Sequence, residues 1–565
     1  MSSVLSRNVV KIMALIAGLI CFLVYWRALS CGFINWDDGE YVYDNPVIRS
    51  LNSDLLVTAF FSSPINVWIP LTWISLALDY NFWELNPYGY HLTNIILHAL
   101  NTSIMVLVAN KMWKQWKLAS GKIQVQSSGA ETYLYLIMLL VAALLWGIHP
   151  ARVESVVWIT ERKDVLNGFF TLSSILFYLR YVQSKDNALG ECKYYKDYII
   201  SLLLFVMSLL AKPTSVMLSI MLLVIDWYPL CRLHKRRIIP ILLEKLPYLV
   251  LGGVVSAIAL FMNAEANINI PLRLFPWEVR VVAIGNSLFE YLKFMINPLG
   301  ILPYHHLPMN IPQIFIVKTV GVFCFIGCCL YIGRKHNWIS ATLASFIIPL
   351  LPVLPFIPNG SQPALCLRYT YLPSLFPCII IAGLLMSWFQ RPDIQRKYII
   401  AVRILLVTLL VFYVAVTYNH IGDWKNSETF WSKVIKYQPF GKAYYFRALF
   451  YVDTAKNYKA AVDDYTTSLN MFEQDKNTEV YNLYAFRGEA LARAGNYSAA
   501  VKDFDVAISL FPHKLYYYYR SYALVELGRI KEAEHDLVRA GRENGRLRWL
   551  SRDFPSKVRD SITER

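Results

Sequence analysis

Trp36-Asp37-Asp38-Gly39-Glu40 follows closely on the first long apolar stretch of the chain. Adjacent carboxylates at a boundary between water and lipid lose hydration and repel each other, so one pKa should rise. A carboxylate in that state suits general-base work on a hydroxyl or amide. The plainer alternative is a loop that starts outside the bilayer, where acids are common. Asp37 is the expected base; Asp38 ranks second, because neighbours in a loop seldom point the same way. His149-Pro150-Ala151-Arg152-Val153-Glu154 and Glu161-Arg162-Lys163-Asp164 form a second group. Glu154 reads as another acid aimed at the cavity of Asp37. Arg162 and Lys163 read as fixed cations able to hold a phosphate or pyrophosphate. A surface ion cluster with Glu161 and Asp164 is their alternative. Lys212, and Arg368 and Tyr371 in the stretch Arg368–Ser374, are further candidates for gripping a lipid phosphate; the cations alternatively only snorkel or anchor helices. His149 and Pro150 end a helix. Tyr304-His305-His306 offers vicinal imidazoles with no third ligand at useful spacing, so no metal ligand is assigned. No cofactor is called for, and a divalent cation stays an open requirement.

These residues need a membrane bundle to position them. The chain is 56% hydrophobic over 565 residues, and its mean hydropathy is +0.38. That is too apolar for a soluble protein of this length and calls for many spanning helices. Lys plus Arg number 55 against 39 acids, for a net charge of +16. In a membrane protein such an excess marks cytoplasmic loops facing anionic lipid. No nucleic-acid motif accompanies it, so a nucleic-acid partner is not expected. No Cys-x-x-Cys pair appears.

Apolar runs cover 9–29, 91–112, 133–148, 165–182, 198–212, 214–230, 240–262, 279–297, 312–332, 338–357, 367–388 and 398–418. Basic loops at Arg232–Arg237, Arg334–Lys335 and Arg391–Lys397 should lie inside. They do so if 279–297, which carries Asn286, Glu290 and Lys293, is re-entrant or surface-lying. About eleven spans then leave the N-terminus cytoplasmic and the C-terminal part outside. The outer loops are 30–90, 149–164, 212–213, 263–311 and 358–366. In the first of these, Trp68, Pro70, Trp73 and Trp83 suit segments lying at the membrane interface.

After 418 the composition changes, so the domains are read as 1–418 and 419–565. A repeat of roughly 34 residues emerges. Its best copy carries Tyr484, Gly488, Leu491, Ala500, Phe504, Ala507 and Pro512 at tetratricopeptide offsets. Copies from Lys442, which includes Ala461 and is followed by an insertion around 473–478, and from Lys514 are weaker, and Ser427–Pro439 matches only a second helix. First-helix residues Tyr444, Asn482, Arg487, Tyr516 and Arg520 are expected to line a groove for a protein or peptide.

Carboxylates, cations and a lipid-level outer cavity suit group transfer from a lipid phosphate carrier. The acidic pair, the His-Pro-x-x-x-Glu loop, the Arg-Tyr-x-Tyr-Leu-Pro-Ser stretch and the terminal repeats together resemble the transmembrane-and-tetratricopeptide-repeat O-mannosyltransferases, GT-C glycosyltransferases. The resemblance implies an all-α fold: a polytopic GT-C-type helix bundle followed by a soluble tetratricopeptide-repeat α-solenoid. It implies an inverting enzyme that uses a polyprenyl-phosphate-sugar donor and works on the lumenal or periplasmic side. By motif, Asp37, Asp38 and Glu154 are its acids, and Arg162 with Asp164 its Arg-x-Asp element. Lys212, Arg368 and Tyr371 match its later outer motifs. The repeat array is short beside those of eukaryotic members, so the chain resembles a bacterial inner-membrane relative with periplasmic repeats; in a eukaryote the repeats would be lumenal in the ER. A non-catalytic membrane-anchored scaffold for envelope proteins, and a ligase acting on a glycan or lipid, are the other readings.

Overall fold

The structure, a computed structural model, describes residues 2–119, 129–186, 191–233, 238–264, 276–306, 312–354, 364–474 and 480–540. It is all-α apart from one antiparallel pairing of His305-His306 with Ala364-Leu365. The chain divides between Lys425 and Asn426 into two units. That is beyond the expected boundary at 418, because the helix crossing it runs on to Asp423.

The first unit holds α1 (Ser2–Tyr25), α2 (Ser53–Phe61), α3 (Pro70–Trp83), α4 (Pro87–Ala119), α5 (Gly129–Gly147), α6 (Val153–Val157), α7 (Arg162–Asp186) and α8 (Glu191–Ala211). It continues with α9 (Leu218–Trp227), α10 (Ile238–Ala264), α11 (Trp277–Ile296), α12 (Gln313–Gly333), α13 (Asn337–Ile347), α14 (Leu375–Phe389) and α15 (Arg396–Asp423). Prolines open α3 and α4, where the missing N–H is no loss. Among the described residues seven helices are long and apolar enough to cross a membrane, and α5 with α6 makes an eighth if that pair, bent by 53°, is one span. Three shorter apolar helices fill the remaining expected runs. Helix α11, which carries Glu290 and Lys293, is not one of the candidate spans.

The core forms where α4 lies against α1, α5 and α7, and α7 against α8. Close approach needs small residues. A Cβ on Gly168 of α7 would sit 2.7 Å from a ring carbon of Tyr371. Trp68 and Trp73 are buried, with Trp73 stacked on Tyr41 at 5.0 Å, so both rings face the protein interior. Trp83, with the neighbouring Phe82, is exposed.

The second unit begins with α16 (Ser427–Tyr437), capped by Asn426 and Thr429. Three helix pairs follow: α17 (Gly441–Asp453) with α18 (Tyr458–Gln474), α19 (Val480–Arg493) with α20 (Tyr497–Leu510), and α21 (Lys514–Glu526) with α22 (Ile530–Ala540). The small residues read from the repeat sit at helix contacts: Ala461, Ala500 and Ala507 are fully buried, and a Cβ on Gly488 would meet Phe504 at 2.9 Å. The expected insertion at 473–478 lies mostly outside the described residues.

The pairs share a lock. Arg447, Arg487 and Arg520 each grip an aspartate on the second helix of their own pair through two parallel bonds of 2.7–2.8 Å, to Asp464, Asp503 and Asp536. Each also donates through Nη1 to the preceding second helix: to Ser432, Thr466 and Asp505. The aromatic residue before each arginine stacks on that same preceding helix, as Phe446 on Trp431, Phe486 on Tyr465 and Tyr519 on Phe504. Arg487 and Arg520 are therefore committed to packing, not free in a groove, and Asn482 accepts from the Tyr516 hydroxyl at 2.5 Å.

Candidate active site

The acidic pair sits on a tight segment. The Tyr41 N–H donates to the Asp37 carbonyl at 3.0 Å, and a wide helical turn follows over Gly39–Tyr43. This geometry sends the two carboxylates to different places. Asp38 is buried: Oδ2 accepts from the Ile34 N–H at 2.8 Å, and Oδ1 accepts from the Thr160 N–H at 3.1 Å and its hydroxyl at 2.6 Å. Burial lifts its pKa to about 6 against the opposing pull of those bonds. Asp38 thus ties the acidic segment to the turn before α7. Asp37 is half-buried, and among the described residues its carboxylate takes no hydrogen bond and no ion pair. Burial raises its pKa, Lys163 and Arg368 draw it back down, and Glu161 pushes it up.

The expected outer loop 149–164 is instead a run of short helical turns, Pro150–Arg152, Val153–Val157 and Ile159–Glu161, leading straight into α7. Arg162, Lys163 and Asp164 therefore lie in the first helical turn. The apolar run understated the helix because its opening charges are neutralised by partners distant in sequence. His149 accepts from the Ala151 N–H at 3.2 Å and packs edge-on against Tyr413, a helix-ending role away from the acids.

Arg162 is not a free cation. It is fully buried and bonded to Asp79 (2.6 Å), Asn94 (2.5 Å), Ser75 (2.9 Å) and the Tyr90 carbonyl (2.9 Å). Four of its five N–H donors fasten α7 to α3 and α4, and the group is fully buried and does not line the cavity of Lys212 and Arg368. Lys163, the next residue, stands by Asp37 instead: its Nζ is 4.7 Å from the Tyr41 ring centre and is the strongest charge acting on Asp37.

The other candidates converge. Arg368 Nη1 meets Glu154 Oε1 at 2.5 Å, and the Arg368 N–H donates to Glu154 Oε2 at 3.2 Å. Lys212 meets Asp164 at 2.5 Å, and Ser155 donates to the other oxygen of Asp164. Arg368 lies over the rings of Trp158 and Tyr369 at about 5 Å. Glu154, read as a second acid, is the partner that aims Arg368. A cavity is lined by Asp164, Lys212 and Arg368 together with Tyr369, Tyr371 and apolar side chains that include Met221, Leu375 and Phe376. The Tyr371 hydroxyl is held by His98 (2.8 Å) and Asn101 (2.9 Å), so its ring is fixed in the wall. Tyr304 packs edge-on against Trp36, which stacks on Trp158 at 4.6 Å, next to the acids. His305 accepts from the Leu302 N–H and, with His306, forms the short strand paired to Ala364-Leu365; burial lowers the pKa of His305 to about 4. Among the described residues no group of three or more His, Cys, Asp or Glu side chains could hold a metal ion.

The sequence marks Glu161, which touches three cations, only as a member of a surface ion cluster, and it marks Lys163 together with Arg162 as a phosphate-holding cation. The signal was present in Glu161-Arg162-Lys163-Asp164, but the sequence does not say which way each of these four charges points.

Fold and site together define a multi-pass, all-α membrane protein with a carboxylate and paired cations beside a partly apolar cavity. No family model matches the chain, and no solved structure is significantly similar to it. Among curated proteins it is similar to human protein O-mannosyl-transferase TMTC3, at 22% identity over 75% of this chain and 47% of that protein. It is also similar to protein O-mannosyl-transferase F38B6.6 of Caenorhabditis elegans, at 22% over 77% of this chain and 59% of that one. Protein O-mannosyl-transferase Tmtc1 of Drosophila melanogaster matches at 26% over 38% of this chain and 23% of its own length. The chain spans about half the length of the first of these relatives. The resemblance to the O-mannosyltransferase group is thus carried by sequence similarity along most of this chain, beyond its motifs.

Proposed function

We propose that the protein is a membrane glycosyltransferase that moves a sugar, mannose by analogy with its relatives' names, from a polyprenyl-phosphate donor to a Ser or Thr hydroxyl of a protein on the outer or lumenal face. The observation that carries this reading is the division between the two aspartates. Asp38 is consumed by the fold, while Asp37 stands unbonded beside Lys163 and Arg368. Asp37 takes the acceptor's proton as its oxygen attacks the anomeric carbon from the face opposite the phosphate. The bond from that carbon to the phosphate oxygen breaks, and the electron pair leaves on the phosphate with inversion. Lys212 and Arg368, both on the cavity wall, stabilise the departing charge. The cavity's apolar side chains accommodate the start of the isoprenoid tail. The helix pairs after Lys425 form a tetratricopeptide-type stack that recruits the acceptor.

The test is transfer of labelled mannose from a polyprenyl-phosphate donor to Ser/Thr-rich polypeptide by the purified full chain in lipid. Transfer to protein supports the reading. Transfer only to glycan or lipid makes it a ligase. No transfer from any polyprenyl-phosphate hexose, in membranes where the chain is folded, leaves a repeat scaffold.

A further inference from the structure

Three cations converge on one carboxylate near the acidic segment, and like charges gathered in this way need a common counter-charge. Glu161 supplies it. Its carboxylate is fully buried and lies 3.2 Å from Lys163 Nζ, 3.5 Å from Lys212 Nζ and 3.0 Å from Arg368 Nε. The three belong to different parts of the chain: the first turn of α7, the link from α8 to α9, and the turn before α14. Lys212 and Arg368 line the cavity; Glu161 does not, so it stands behind the wall they form. Lys163 turns the other way, with Nζ 3.4 Å from the Tyr41 hydroxyl on the acidic segment. Each cation also has further carboxylate or aromatic neighbours: Asp164 and the Tyr369 ring for Lys212, Glu154 and the Trp158 and Tyr369 rings for Arg368, the Tyr41 and Trp158 rings for Lys163. Among the described residues only Glu161 pairs with all three.

We infer that Glu161 is a positioning residue that gathers these cations onto one buried point, so that two present themselves to the donor phosphate and the third to the base. This rests on the function proposed above. Glu161 makes no contact with the cavity and takes no part in bond making. Its removal loosens the phosphate-facing cations and changes the charge around Asp37 together. The groups acting on Asp37 are Lys163 and Arg368, which lower its pKa, and Glu161, which raises it; Asp38, Glu40, Tyr41 and Tyr304 are also in electrostatic reach.

The experiment measures donor KM, kcat and the acidic limb of the pH–rate profile in the full chain, with direct binding of a non-transferable polyprenyl-phosphate analogue. Wild-type protein that neither binds the analogue nor transfers sugar refutes the proposed function itself. With wild type active, Glu161→Gln should weaken analogue binding and raise donor KM by roughly tenfold to a hundredfold. It should also move the acidic limb to lower pH, because a negative charge near Asp37 is gone and its cations are freed. Glu161→Asp, which keeps the charge, should leave the limb near its wild-type position. Lys163→Met should move the limb the opposite way, to higher pH, with analogue affinity retained. If Glu161→Gln is folded by size-exclusion and melting yet keeps both affinity and limb, the inference is wrong. If it does not fold, the Lys163→Met limb and affinity decide: no shift, or a loss of affinity equal to that of Lys212→Met, overturns it.

Discussion

Replacing Asp37 with Asn should silence the enzyme while leaving the fold intact. The same change at Asp38 should do the reverse first. The Asp37 carboxylate takes no hydrogen bond among the described residues, so an amide of the same size removes no side-chain hydrogen bond from the native state. Its burial already disfavours the charged form, so neutralisation does not destabilise the segment. The melting temperature should hold within about a degree or rise slightly. Loss of a general base lowers the rate by roughly two to four orders of magnitude, or about 2.7–5.4 kcal/mol of barrier. Asp38→Asn instead turns an amide N–H₂ toward the Ile34 N–H or toward Thr160, both of which are donors to the carboxylate. One donor is left facing another in a buried site, at about 1–3 kcal/mol. The assay pairs single-turnover transfer with melting of both variants in the same lipid. Full activity in Asp37→Asn, or a melting loss there equal to that of Asp38→Asn, would refute the division of roles.

Other outcomes follow from the same contacts. Since burial raises the pKa of Asp37, the acidic limb of kcat should lie above the ordinary carboxylate range, the rate rising with pH as the base ionises; a limb near pH 4 or below contradicts its environment. Asp38, with its folded pKa near 6, should make the protein less stable as pH rises from its unfolded value of about 4 through 6, and denaturant melts of Asp38→Asn should lack that component. Arg162→Met should lower stability by about 3–5 kcal/mol, because Asp79 is left buried without its cation, and donor affinity measured on the folded fraction should be unchanged. Arg487→Ala should cost the second unit about 1–3 kcal/mol by urea melting, since its half-screened guanidinium holds Asp503 and Thr466.

What the sequence disclosed and what it hid divide along physical lines. Residue type was enough to single out Asp37, Asp38, Lys212 and Arg368 as candidates, because charged groups beside apolar runs stand out against lipid. Steric small residues such as Gly488 and Ala500 were legible because two helices can approach only where side chains are short. Direction was not legible. Whether Arg162 or Lys163 stands by Asp37 depends on Asp79 and Asn94, brought to Arg162 by helices far away in sequence. Hydropathy likewise ended the α7 run at 165, since it counts Arg162 and Asp164 as charges and cannot see that partners cancel them. The arginine lock was present as Phe446-Arg447, Phe486-Arg487 and Tyr519-Arg520, each followed 16 or 17 positions on by an aspartate. That signal is periodic and was overlooked because such residues read as solvent-facing.

The lock bears on how the second unit responds to load. Every guanidinium clasps its own pair and the one before, and every stacked ring bridges the same junction, so neighbouring pairs cannot twist apart without breaking both. In stacks held only by apolar contact, curvature is soft and end pairs fray independently. Here pitch is set junction by junction, like a ratchet with its pawls engaged. Amide protons from α17 to α21 should exchange as one block. At α22 the corresponding positions are Leu537 and an exposed Val538, which offer no acceptor to a further arginine, so the rigid segment has a defined end there.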